Sequence, residues 1–213
     1  MKSLLKASHF GPTVIVVTVT YLLALSQYSA LSSLQIAVAI FAGQLVVGWS
    51  NDLMDYDLDS AAGREKKPLV SGELKIATLR KAIPFALFLA AVLSLIGPLG
   101  IKGTLIHLLG ILSALAYNFK LKATIFSPLP YAFSFGSLPW AVYLSNGENP
   151  PLWLFLGFIL ISVAFHFLNV LKDLSWDIQQ SVLGLPQRLG RTKSITVALV
   201  LVLLAIVEAI TLR

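Results

Sequence analysis

Six of the chain's ten carboxylates fall in two short stretches, NDLMDYDLD at 51–59 and NVLKDLSWD at 169–177. On a helix, Asp52, Asp55 and Asp59 step by three and four and stack on one face. Gln44, Gly48 and Asn51 lie on or near that stripe, and Asp57 points elsewhere. His166, Asn169, Asp173 and Asp177 repeat the pattern with steps of three, four and four. Like charges at such spacing repel by roughly 0.2–0.5 kcal/mol per pair on an exposed helix, so a chain that keeps them has a cation to offset them. All-oxygen donors suit a hard ion, and Mg²⁺ in particular binds through a few carboxylates plus substrate phosphates. The pattern therefore points to a diphosphate bridged by magnesium to two aspartate clusters. Acidic helix caps and solvated loops are the plainer reading of either cluster alone, and the matching Asn-Asp character of the two weighs against it.

Basic residues stand close by. Arg64, Lys66, Lys67, Lys120, Lys122 and Lys172 could all meet phosphate oxygens, and Lys172, next to Asp173, has the strongest individual claim. His107 and His166 read as packed histidines, His166 with the better functional claim through its stripe.

The elements that must hold these residues are apolar. The 213 residues are 57% hydrophobic and 12% charged, with a mean hydropathy of +0.83. Soluble domains carry about 25% charged residues, so this chain cannot coat a water-facing surface. Seven apolar segments, at about 11–28, 32–50, 79–99, 103–119, 125–145, 151–171 and 194–212, approach or reach the length that spans a bilayer. The expected fold is all-α: a polytopic transmembrane bundle of about seven helices forming one domain over 1–213. The fifth segment carries Pro128, Pro130 and Pro139 and should be kinked. Continuous apolar runs exclude a β-barrel. The absence of cysteine excludes disulfides and thiol catalysis. The basic, apolar start reads as a first membrane helix rather than a cleaved leader. The partners expected from this composition are the bilayer and small molecules, with no nucleic acid.

Lysine and arginine set the orientation. With the N-terminus in the cytoplasm, fourteen of the sixteen face inward, and only Lys102 and Arg213 fall outside. Both acidic clusters then lie on the cytoplasmic side, so the expected location is the inner membrane with the active site facing the cytoplasm.

Asn51-Asp52-x-x-Asp55-x-x-x-Asp59 resembles the first signature of the UbiA-type intramembrane prenyltransferase superfamily, and REKKPLVSGEL resembles the Arg-Pro-Leu-x-Ser-Gly continuation. Asn169-x-x-Lys172-Asp173-x-x-x-Asp177, followed by LPQRLG, resembles the second signature, and AYNFKLKATIFSPLPYAF resembles the Tyr-and-Lys region after the fourth helix. The resemblance implies magnesium-dependent transfer of a prenyl group from a polyprenyl diphosphate to an aromatic, quinone-precursor or pigment-precursor acceptor. It implies one Mg²⁺ on Asn51, Asp52, Asp55 and Asp59 and another on Asp173 and Asp177. Diphosphate contacts would come from Asn51, Asn169, Lys172, Arg64, Lys67, Tyr117 and Lys122. Trp49, Tyr117, Phe133, Phe165 and Trp176 are candidates to stabilise an allylic cation. The chain departs from the pattern at Lys67-Pro68, where Arg-Pro is usual, and at Lys172, where Arg is common. Its first helix lacks the Arg some members use for an acidic acceptor, with only Lys6 and His9 nearby. The family fold has about nine helices, so the resemblance implies a domain without the last two. Such a domain would be a truncated form, would close its bundle with another protomer or, as the alternative function, would serve as a non-catalytic scaffold or binding module.

Overall fold

Every apolar segment is a helix in the computed structural model, which describes residues 2–213. The long helices are α2 (Phe10–Ala24), α3 (Ala30–Met54), α5 (Ile76–Ile96), α6 (Gly100–Phe119), α7 (Pro128–Ser145), α8 (Leu152–Val170) and α10 (Leu185–Thr211). Three short ones, α1 (Lys2–Ala7), α4 (Tyr56–Ala61) and α9 (Leu174–Gln179), complete the set, with no strand among the described residues. By length and composition α3, α5, α6, α8 and α10 can cross a membrane. The outward faces suit lipid: Leu31, Ile96, Ile101 and Ile210 are each about 70% exposed or more. A water-facing surface rarely carries such contiguous apolar area.

The short helices follow from interruptions that periodicity does not reveal. The stacking of the three aspartates holds for a helix continued through 51–59; instead α3 ends at Met54 and α4 begins at Tyr56, hinged on Asp55 (φ −89°, ψ −1°). Asp55 N–H still donates to Asn51 O (2.9 Å) and Asp59 N–H to Asp55 O (2.8 Å), so Asp55 stays bonded on both sides while the regular ladder breaks between the two helices. The second cluster is interrupted in the same way between α8 and α9, where Asp173 N–H reaches Val170 O (3.2 Å) and Asp177 N–H reaches Asp173 O (2.8 Å). In α10 the turn comes at Gly190, whose φ of 77° is a left-handed value that glycine adopts without strain.

Packing runs α2–α3–α6–α7–α8–α10 around a central space, with α5 laid outside against α3 and α6. Small residues set the spacing, as is common where helices pack without a hydrophobic drive between them. A Cβ on Gly43 would meet His107 Nε2 at 2.5 Å, and one on Gly110 would meet Ser137 Oγ at 2.7 Å. The tightest approach to backbone fixes the N-terminal corner to α3: a Cβ on Gly48 would lie 2.3 Å from the Ser8 carbonyl oxygen. Trp49 Nε1 donates to Leu4 O (2.8 Å) across the same contact.

Gly48→Ala is therefore expected to lower stability by about 1–3 kcal/mol, the usual cost of overpacking, despite alanine's better helix propensity. Gly11→Ala, with nothing within 4 Å of the new methyl, should be neutral or stabilising. Thermal unfolding of both variants in detergent checks the contrast, and equal midpoints would contradict it.

Candidate active site

The central space is a cavity of about 1000 Å³. Its walls are apolar along α2, α7, α8 and α10, and its charged groups all gather at the end where α3 passes into α4 and α8 into α9. Asn51, Asp55, Asp59, Arg64, Lys67, Tyr117, Lys122, Asn169, Lys172, Asp173 and Asp177 line it. Asp52 does not; it is 3% exposed and sits behind His9 and Lys67, which do line the cavity. Asp57, Lys66 and Lys120 lie outside. Gln44 and Gly48 share the wall, as the α3 stripe requires.

At the charged end the chain supplies its own counter-ions. Lys67 Nζ lies 3.0 Å from Asp52 Oδ1 and 2.7 Å from Asp59 Oδ2. Arg64 joins the two clusters, with Nη1 3.3 Å from Asp59 Oδ1 and Nη2 2.9 Å from Asp173 Oδ1. Its guanidinium also lies 5.7 Å from the Trp176 ring centroid. Lys122 pairs with Asp55. Asn118 braces Asn51: its Oδ1 accepts from Asn51 Nδ2 (3.3 Å) while its Nδ2 donates to Val47 O and Ser50 Oγ. Lys172 Nζ donates to Asn169 Oδ1 (2.9 Å).

Two contacts have no counterpart in the spaced carboxylate pattern. His9 Nε2 lies 3.1 Å from Asp52 Oδ1, and Gln187 Nε2 donates to Asp177 Oδ2 at 2.8 Å. Gln187 belongs to the LPQRLG segment, and its role there depends on α10 turning back under α9, which spacing alone does not show.

Protonation follows from these neighbours. Burial works most strongly against charge on Lys67, yet the adjoining Asp59 and Asp52 carboxylates together outweigh it and raise the ammonium above its ordinary range. Burial holds the Asp177 carboxyl above the usual range, with Asp173 adding to this and the Gln187 hydrogen bond, Arg64 and Lys122 opposing it.

The donor set suits a hard divalent ion. All its charged donors are carboxylate oxygens; those of Asp52, Asp55, Asp59 and Asp173 rest against cations, Asp177 accepts from the Gln187 amide, and Asp59 Oδ2 is buried without a hydrogen bond although the Lys67 ammonium is adjacent. Among the described residues no three Asp, Glu or His side chains converge into a closed cage. Such a site fits Mg²⁺ bound by one or two carboxylates and completed by phosphate oxygens, and does not fit an all-protein cage.

Three aromatic candidates, Tyr117, Phe165 and Trp176, line the cavity. Two do not. Trp49 is buried in the α1–α3 contact, and Phe133 faces outward at 53% exposure. His166 is also structural: 1% exposed, it packs on Tyr117 and Tyr131, and its Nε2 lies 3.1 Å from Ser127 Oγ.

A model of the UbiA prenyltransferase family matches residues 13–212. A UbiA homologue from Archaeoglobus fulgidus, solved with DMAPP and Mg²⁺, superposes with a TM-score of 0.82 at 15% identity, covering 99% of this chain and 77% of that one. Its complex with GPP and Mg²⁺ gives 0.83 at 14% identity, with 97% and 76% coverage. A digeranylgeranylglyceryl phosphate synthase structure gives 0.74 at 23% identity, with 97% and 75% coverage. No curated protein sequence matches the chain.

Lys67 yields a pH test. Its raised folded pKa means that the folded protein holds this proton more tightly than the unfolded chain. The resulting stabilisation is complete below the ordinary value of about 10.5 and is lost as pH rises through the folded value. Thermal midpoints in detergent should fall across that alkaline window, and Lys67→Met should start lower and fall less steeply. Parallel curves for the two proteins would contradict the assignment.

Proposed function

The chain belongs to the UbiA prenyltransferase family, an integral membrane family, and we propose that it transfers a prenyl group from a polyprenyl diphosphate to a lipophilic or aromatic acceptor. The observation that carries this reading is the meeting of the two aspartate clusters at the mouth of one apolar cavity. A diphosphate needs charged and hydrogen-bonding partners, and its hydrocarbon tail needs the opposite. The cavity provides both, one at each end. The C1–O bond of the prenyl diphosphate breaks, diphosphate leaves with the bonding pair, C1 bonds to the acceptor, and the acceptor gives up a proton.

Mg²⁺, when bound, would neutralise diphosphate charge and make it a better leaving group; Asp55, Asp59, Asp173 and Asp177, with Asp52 behind them, are the residues to hold it. Arg64, Lys67 and Lys122 are charged side chains at the mouth, and each can turn from its carboxylate to a phosphate oxygen. Lys67 and Lys172 offer point charges, and Arg64 a planar fork able to grip two oxygens. Asn51 and Asn169 add amide contacts, and Tyr117 lies beside them. Tyr117, Phe165 and Trp176 present ring faces or edges to the developing cation, each contributing roughly 0.5–2 kcal/mol where a face is aligned. Apolar walls keep water from the cation. Most basic residues lie at the same end as the clusters, which by the positive-inside rule supports a site facing the cytoplasm.

Asp55→Asn and Asp173→Asn should each reduce Mg²⁺-dependent consumption of geranyl or geranylgeranyl diphosphate by on the order of 10²-fold or more. The assay is diphosphate release from purified protein in lipid nanodiscs, supplied with an extract of quinone and pigment precursors. Full activity in both variants would sink this reading.

A further inference from the structure

The corner between α1 and α2 carries a backbone conformation that its residue disfavours. His9 has φ 54° and ψ 55°, in the left-handed region that residues other than glycine seldom enter. Strain of this kind persists where the surroundings over-determine it, and it concentrates at functional sites. Here three contacts hold the corner. Gly48 lets α3 lie directly against the Ser8 carbonyl, Thr13 Oγ1 donates to Ser8 O at 2.9 Å, and Trp49 Nε1 donates to Leu4 O at 2.8 Å. A right-handed helical His9 would fuse α1 with α2 and remove the corner.

What the corner delivers is one side-chain contact. The imidazole lines the cavity and places Nε2 3.1 Å from Asp52 Oδ1. Lys67 shares that same oxygen at 3.0 Å. Asp52 Oδ2 has no hydrogen-bond partner among the described side chains. The two partners of Oδ1 differ in what an arriving diphosphate does to them. Lys67 is a flexible cation that phosphate oxygens attract away, whereas His9 is a short ring held on a locked corner.

We propose that His9 is a positioning residue for Asp52: when Lys67, which helps cover the carboxylate from the cavity, turns to substrate, His9 keeps hold of Oδ1 and fixes the uncovered carboxylate in place for the ion. This rests on the proposed function. It adds a residue from outside both aspartate signatures and gives the N-terminal corner a purpose beyond packing.

The test uses full-length protein in nanodiscs, with Mn²⁺ in place of Mg²⁺ and geranyl S-thiolodiphosphate as an inert diphosphate, and reads bound Mn²⁺ by electron paramagnetic resonance. Loss of a hydrogen-bond partner behind a metal ligand costs about 10–100-fold in metal affinity. His9→Gly should show a loss in that range while melting no lower than wild type, because glycine takes the left-handed conformation freely. His9→Asn, which tolerates that conformation and carries an amide donor, should recover most of the affinity. Wild-type Mn²⁺ affinity in His9→Gly overturns the proposal. So does a lowered melting temperature in His9→Gly with an affinity loss that His9→Asn does not recover, because the corner is then structural only. If wild type itself binds no Mn²⁺ beside the diphosphate analogue, the proposed function fails and this inference with it.

Discussion

Carboxylates at the mouth of an apolar cavity must be neutralised, and this requirement organises the loops at that end of the bundle as well as the site. Unpaired ions away from water are costly, by several kcal/mol each even after relaxation. The chain answers with Lys67 between Asp52 and Asp59, Lys122 on Asp55, and Arg64 spanning Asp59 and Asp173. Each pair fastens one segment to another: the 62–75 connection to α3 and α4, the turn after α6 to the α3–α4 hinge, and the first cluster to the second. The ligand-free site is thus a set of exchangeable ion pairs. Divalent ions can replace the basic side chains at the carboxylates, and phosphate oxygens can replace the carboxylates around the basic side chains, while Asp177 and Lys172 rest on the amides of Gln187 and Asn169.

The helical hinges serve the same requirement. A straight α3 would carry Asp59 about 12 Å further along the axis than Asn51. The bend at Asp55 instead brings Asp59 back under the cavity mouth, within reach of Lys67 and Arg64. The break before α9 does likewise for Asp177, which Gln187 then holds from α10. The hinge at Asp55 keeps the backbone bonds Asp55–Asn51 and Asp59–Asp55 and lies at the charged end of the bundle, away from the apolar spans where unsatisfied amides would be expensive.

Much of this was legible in the sequence because the bilayer permits so few solutions. Continuous apolar runs become helices, so the seven long helices could be counted from hydropathy. The paired aspartates announced a cation through their mutual repulsion. What stayed hidden depended on long-range geometry or on facing. The pairing of Arg64 with Asp173 joins residues 109 apart, and no periodicity encodes it. Asp52 shares the register of Asp55 and Asp59 yet lies behind the cavity wall, because His9 and Lys67 cover it. Trp49 and Phe133 had the right chemistry for a cation-stabilising ring, but one faces the α1–α3 contact and the other faces outward. The hinge at Asp55 leaves no mark on spacing, since Asp55 is not a helix-breaking residue type and keeps its own bonds to Asn51 and Asp59.

The central claim is that the two clusters act together on one diphosphate through metal ions that neither cluster holds firmly alone. Counting Mn²⁺ bound to the nanodisc-embedded protein, with and without geranyl S-thiolodiphosphate, addresses it directly. The account predicts two tightly bound ions per chain with the analogue and only weak binding without it. Tight binding that does not depend on the diphosphate, or a single ion at saturation, would contradict it.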